Sequence, residues 1–148
     1  MTTQRQKLAT YAVTLCTFRQ HRHFQRTANA ALFLATLQRY RAQGKFLLHG
    51  FAVMPDHVHI LLTPAVDVST AKAVQFIKGG YSHAAREQSA GEIWQTGYFE
   101  HRIRDAAEFE AQRHYIAQNP VRANLANYPH VHTADVDSID CAPSHLLD

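Results

Sequence analysis

Apolar and polar side chains alternate from Tyr11 to Phe18 in a run rich in β-branched and aromatic residues, which predicts a first strand. A basic connection, Arg19 to Arg26, follows it. From Ala30 to Gln43 the period lengthens, with Leu32, Phe33, Leu37 and Tyr40 at helical spacing and Gly44 as the stop. Residues 45–53 and 57–63 predict two further strands, joined by the tight turn Met54-Pro55-Asp56 into an antiparallel hairpin. Ser69 is placed to cap a helix carrying Ala73, Phe76 and Ile77 toward Arg86; the pair Gly79-Gly80 inside it marks a weak point or a close approach to a neighbour. Residues 94–104 predict a fourth strand. Asp105 and Glu108 have capping-box spacing and open a helix that is expected to end near Gln118, because Asn119 precedes Pro120. A short helix is expected to restart at Pro120, where proline suits a first helical position.

The order β-α-β-β-α-β-α predicts an α+β fold of the ferredoxin-like, split βαβ kind. The expectation is an antiparallel sheet of four or five strands with the helices packed on one face. One domain over residues 1–128 and an acidic, loosely attached C-terminal tail over 129–148 complete the organisation. At 148 residues, 46% hydrophobic and 18% charged, the chain is large enough to bury a core without disulfide or structural metal. Cys16 and Cys141 form no pattern, the first seven residues hold no apolar stretch, and no run reaches membrane-spanning length; a reducing, cytoplasmic setting follows as the expectation.

Charge changes the picture. The net charge of +3 conceals an asymmetry: residues 1–55 hold eight Lys/Arg and no acid, residues 56–104 five of each, and residues 105–148 seven acids against two bases. A basic first third suits a polyanion, nucleic acid above all, although a merely solvated basic face has the same composition.

Chemistry concentrates in Met54-Pro55-Asp56-His57-Val58-His59-Ile60-Leu61-Leu62. On a strand, residues two apart stand about 7 Å apart on one face. His57 and His59 can therefore converge on one metal ion while Val58, Ile60 and Leu62 bury the other face. Alone, such a pair is as well explained by two surface histidines in a chain that has eleven. His49, alternating with Leu47, Phe51 and Val53, reads as a core-facing histidine rather than a supporting partner of that pair. On the last long helix Tyr115 and Asn119 are four apart and share a face. A tyrosine can act as a covalent nucleophile when an ion polarises the phosphate it attacks, but taken alone Tyr115 is more often a half-buried helix aromatic and Asn119 more often an N-cap for the segment at Pro120.

In combination, the 54–62 block, Trp94-Gln95-Thr96-Gly97-Tyr98, and Tyr115-Ile116-Ala117-Gln118-Asn119-Pro120-Val121-Arg122-Ala123 resemble the three blocks of single-tyrosine HUH transposases, and most closely the REP-associated tyrosine transposases. The likeness spans residues 10–128. It implies an HUH endonuclease fold in which His57 and His59 bind a divalent metal, Asn119 lies at the third ligand position, and Tyr115 attacks a single-stranded DNA phosphodiester to leave a 5′-phosphotyrosine and a free 3′-hydroxyl. Many relatives carry glutamine at that third position, so asparagine shortens the reach. Imidazole favours manganese, and magnesium remains allowed. Hairpin or palindromic repeat DNA is the implied partner, and a monomer acting in cis is expected, with a dimer as the alternative.

Arg102 and Arg104 alternate with Tyr98 and Glu100 on the fourth strand. With Arg19, Arg22 and Arg122 they form the candidate DNA-binding set, Tyr98 being placed to stack an unpaired base. Two other functions fit the same residues: a non-catalytic hairpin-DNA-binding regulatory module, and a metal-dependent hydrolase of small phosphodiesters with Tyr115 only structural.

Overall fold

A computed structural model describes residues 8–89, 91–122, 131–132 and 139–146, with backbone alone at residues 120–122 and 131–132. Its strands are β1 (Thr10–Cys16), β2 (Phe46–Val53), β3 (His57–Pro64), β4 (Phe99–Ile103) and β5 (Val131–His132); its helices are α1 (Thr27–Ala42), α2 (Thr70–Ala84) and α3 (Ala106–Arg122). The sheet is antiparallel throughout, in the order β4-β1-β3-β2-β5. The first four strands have the ferredoxin-like arrangement expected, and β5 extends the far edge.

The expected hairpin joins β2 to β3, closed by a 2.8 Å bond from the Met54 N–H to the His57 carbonyl. Ser69 caps α2, its Oγ accepting from the Lys72 N–H at 3.0 Å. Asp105 Oδ1 accepts from the Glu108 N–H at 2.8 Å, the predicted cap of α3. Gly80 marks the close approach: an added Cβ would lie 2.5 Å from the Tyr40 hydroxyl, where α1 crosses α2, whereas one at Gly79 meets nothing within 4 Å.

Strand alternation gives the sheet two cores. Val13, Leu15, Leu48, Phe51, Val53, Val58, Ile60 and Leu62 face α1 and α2, packing on Phe33, Leu37, Ala73, Ile77 and Tyr81. Ala52, Leu61 and Ile103 point the other way and pack on Phe109 and Ile116 of α3 and on Leu146. The helices thus cover both faces, not one. An amphipathic helix following an edge strand whose inward residue is Ile103 buries its apolar side against that residue's face, and each large side chain so buried contributes roughly 1.5–3 kcal/mol.

Three other expectations are corrected. The helix beginning at Ala106 continues through Pro120 to Arg122 without stopping at Gln118. The fourth strand is short, because Gly97 at φ 82° breaks the extended run before Phe99; of residues 94–98, only Trp94 pairs, as an isolated bridge to Thr17. The segment after Tyr128 is docked where it is described. Val131 and His132 pair with β2. The Asp140 carboxylate bridges the Arg41 guanidinium at 3.1 Å and accepts from the Leu48 N–H at 2.8 Å, and Leu146 is buried. Asp135, Asp137 and Asp148 lie outside the described residues.

Candidate active site

β3 is flanked on both sides, so its side chains alternate between two closed environments. Val58, Ile60 and Leu62 enter the α1/α2 core, and His57, His59 and Leu61 face α3. The imidazole centroids of His57 and His59 are 4.8 Å apart with the rings at 82°. Each Nδ1 is occupied by a protein partner. His57 Nδ1 lies 2.6 Å from Asp56 Oδ1, and His59 Nδ1 lies 3.1 Å from the hydroxyl of Thr14, its cross-strand neighbour on β1. With Nδ1–H donated to these oxygens, Nε2 of each ring keeps its lone pair, the arrangement by which second groups orient metal-ligating histidines. Burial, reinforced by the neighbouring His57, pushes the pKa of His59 down to about 4, so its ring is neutral at ordinary pH.

Tyr115 reaches this face from α3. Its ring meets His59 edge-on, centroids 5.9 Å apart at 78°, and it is 39% exposed. Farther back on the same helix, Phe109 packs edge-on against His49, whose Nε2 is bonded to Thr63 at the other end of β3. The helix therefore runs back along the strand. Asn119, one turn or about 6 Å beyond Tyr115, continues toward the His57 end. Asn119 is buried, and its Nδ2 has no hydrogen-bond partner. A buried NH2 donor without a partner carries an unfavourable free energy of about 1–3 kcal/mol and suits an anionic oxygen such as a phosphate, whereas a cation would be met by the amide oxygen Oδ1. Among the described residues no three His, Cys, Asp or Glu side chains cluster as a metal site. The available donors are two imidazole nitrogens and an amide, a set compatible with a divalent ion that keeps positions open for phosphate and water.

His49 is fully buried, as expected, but by a different route. A bulge between Leu48 and Gly50 shifts the alternation of β2, leaving Leu47 exposed and turning His49 toward α3. It belongs to a hydrogen-bonded chain, His145–Thr10–Thr63–His49–Asp140, that ties the C-terminal segment to the sheet.

The candidate DNA-binding residues do not share one surface. Arg19 and Arg22 are exposed in the connection after β1, which packs on the turn before His57 through the bonds Thr17 N–H to Asp56 O and Phe24 N–H to Pro55 O. Arg19 has φ 54° and lays its guanidinium over the Phe18 ring at 5.0 Å. Arg102 is paired in register with Tyr11, and the alternation turns it, with Glu100 and Tyr98, toward the α1/α2 face, away from the histidine pair. Tyr98 is half-buried against that core, and burial and Glu100 raise its pKa. Arg104 is exposed just beyond β4, and the side chain of Arg122 lies outside the described residues. The aromatic on the site's own face is Phe99, 64% exposed; Gly97, whose φ is 82°, is the residue in the sequence that marks the strand start after it. Asp56 and Thr14 were also missed: Thr14 becomes visible only once the β1–β3 register is known. No described helix is long and apolar enough to cross a membrane.

The geometry has relatives. Residues 5–119 match the family described as "Transposase IS200 like". The REP-associated tyrosine transposase of Escherichia coli (strain K12) is 31% identical over 78 residues, covering 52% of this chain and 46% of that protein, so the match spans just under half of the curated relative. Among solved structures, a REP-associated tyrosine transposase bound to a REP hairpin superposes with a TM-score of 0.68 at 19% identity, over 97% of this chain and 100% of that one. A transposase-like protein from Deinococcus radiodurans R1 gives 0.55 at 20% identity, over 80% and 98% of the two chains. At these identities the structures establish the shared fold, and the family match covers most of the sequence. The chain belongs to the IS200-like transposase family.

Proposed function

We propose that this chain is a metal-dependent single-stranded DNA endonuclease and strand transferase acting on hairpin or palindromic repeat DNA. In this reading Tyr115 is the nucleophile, and His57, His59 and Asn119 hold a divalent ion, magnesium or manganese. The observation that carries it is the edge-on approach of Tyr115 to His59, which sets a phenol from a helix beside an imidazole pair from the central strand. In this reading the protein is a monomer acting in cis, each Tyr115 serving the histidine pair of its own chain. The hairpin seen on a structural relative supports the substrate class.

The chemistry is a displacement at phosphorus. The Tyr115 Oη–P bond forms as the P–O3′ bond breaks, the phenolic proton is released, and the departing 3′-oxygen takes up a proton, leaving a 5′-phosphotyrosine and a 3′-hydroxyl. Rejoining reverses these bonds with a different 3′-hydroxyl. A bound divalent ion would polarise the phosphate and neutralise charge on the leaving oxygen. Asp56 and Thr14 orient the imidazoles, burial keeps His59 unprotonated, and Arg19 and Arg22 supply positive charge near the His57 end for the DNA backbone.

Incubation of the protein with hairpin oligonucleotides and manganese should yield a nicked strand and a covalent protein–DNA adduct. Tyr115→Phe should abolish both, and His57→Ala should abolish cleavage while sparing hairpin binding. Cleavage by Tyr115→Phe at the parent rate would refute the nucleophile; binding that survives chelation, with no adduct on any hairpin, would favour a regulatory binding module.

A further inference from the structure

Between β4 and α3, next to Tyr115, lies a cleft of about 210 Å³ that the displacement chemistry leaves unused. Ala12 and Ile116 form its apolar floor, and Phe99, His59, Gln112 and Tyr115 stand around it. Phe99 is the most exposed large hydrophobic side chain among the described residues, at 64%. It sits on β4, an edge strand, where an exposed aromatic is a liability for aggregation unless something uses it. Its cross-strand neighbour is Thr14, the residue bonded to His59, and Phe99 and His59 both border the cleft. Gln112 is three residues before Tyr115 on the same helix face and presents an amide with both donor and acceptor.

We propose that this cleft takes one unpaired nucleobase, that of a nucleotide adjoining the scissile phosphate, with the base stacked on Phe99 and its edge hydrogen-bonded by Gln112. The proposal rests on the reading of Tyr115 and His59 as a DNA-cleaving site and adds to it the determinant of base preference at the cut. An aromatic face accepts any base by stacking, whereas a neutral amide within reach of the base edge distinguishes among them. The volume admits one planar heterocycle and not a base pair, which confines the occupant to a single strand. The cleft is continuous with the candidate active site, since His59 and Tyr115 border both.

The test uses hairpin oligonucleotides with single-stranded flanks, each carrying 2-aminopurine at one flank position, titrated with the full chain in the presence of a chelator so that binding is read without cleavage. Stacking on Phe99 should quench the probe at one position and not at its neighbours. Phe99→Ala should remove that quench and weaken binding by about 5- to 150-fold, and Phe99→Trp should restore both. Gln112→Ala should keep the quench but flatten the affinity differences among the four bases at that position. Circular dichroism of the Phe99 variant checks folding, which loss of an exposed ring leaves intact. No Phe99-dependent quench on any strand, or base preference unchanged in Gln112→Ala, overturns the proposal. If the parent still forms its Tyr115 adduct in manganese, the failure is the cleft's alone. A Phe99-dependent quench without any adduct upholds the cleft and removes the nucleophile.

Discussion

His57 Nδ1 stands 2.6 Å from Asp56 Oδ1, so the first imidazole of the pair is oriented by the residue preceding it in the chain. Removing the carboxylate charge while keeping the shape should loosen that orientation and lower the basicity of the ring. Asp56→Asn is expected to weaken manganese binding about 10- to 100-fold. Thr14→Val, which removes a neutral hydroxyl from His59, should fall at the lower end of that range. Titration calorimetry on the folded variants checks this, and undiminished affinity in Asp56→Asn would show that the contact orients nothing.

His59 gives the protein a pH dependence whose sign is fixed. Its folded pKa is about 4, against 6.5 for an unburied histidine. Below 6.5 the unfolded chain takes up a proton that the folded chain refuses, so stability declines as pH falls from there and the loss is complete only below about 4. Between roughly pH 7.5 and pH 4.5 the parent should lose about 2–3 kcal/mol more than His59→Gln, which has no imidazole at that position. Urea unfolding at the two pH values, without metal, measures the difference; parallel losses in the two proteins would contradict the burial of that ring.

Asp140 makes the C-terminal segment part of the fold. Burial alone would raise its pKa, but hydrogen bonds from Arg41 and the Leu48 N–H, with the Arg41 charge, outweigh that and hold the carboxyl below the usual range. Asp140→Ala leaves the buried Leu48 without this acceptor and should cost about 1–3 kcal/mol. A chain ending at Tyr128 should lose more, because Leu146 and the Asp140 carbonyl bonded to His49 Nδ1 leave with it. The clip sits at the Arg41 end of α1, away from the His57 end of β3, so Asp140→Ala should leave hairpin affinity unchanged. Thermal melts and a hairpin-binding isotherm check this: an unchanged melt in Asp140→Ala, or an altered hairpin affinity, would contradict a purely structural clip.

The two glycines of α2 should respond in opposite directions. Gly79→Ala meets open space and gains helix propensity, stabilising by about 0.5–1 kcal/mol. Gly80→Ala would press on the Tyr40 ring, which is stacked on Phe76 at 5.5 Å, and overpacking of this kind costs about 1–3 kcal/mol before any helix gain is counted. Paired denaturation curves test this, and a stabilised Gly80→Ala would mean that Tyr40 swings aside freely.

What was legible in the sequence followed local periodicity and chemistry. The two-residue spacing of His57 and His59 identified their shared face, and Asp105 with Glu108 identified the start of α3, because caps and alternation act within a few residues. The side of the sheet taken by α3 depends on where Ile103 points, which no local pattern states. Tyr98, Glu100 and Arg102 share a face as their alternation predicts, but no local pattern states that this face meets α1 and α2, which leaves Phe99 on the side of the histidine pair. His49 is buried as its alternation predicts, yet the bulge beside it sends it to the opposite core from Phe51. Asp140 looked like one more acid in a charged tail; only tertiary structure brings Arg41 and Leu48 to it.

A central strand that serves two packed layers has no neutral offset. Deleting a single residue from the turn at 54–56 would advance β3 by one position if its pairing partners held their places, sending both imidazoles into the aliphatic layer beneath α1 and α2 and turning Val58 and Ile60 toward Tyr115. Length variation in this lineage should therefore accumulate in other connections, and an engineered insertion placed in that turn should abolish folding and ion binding together rather than one at a time.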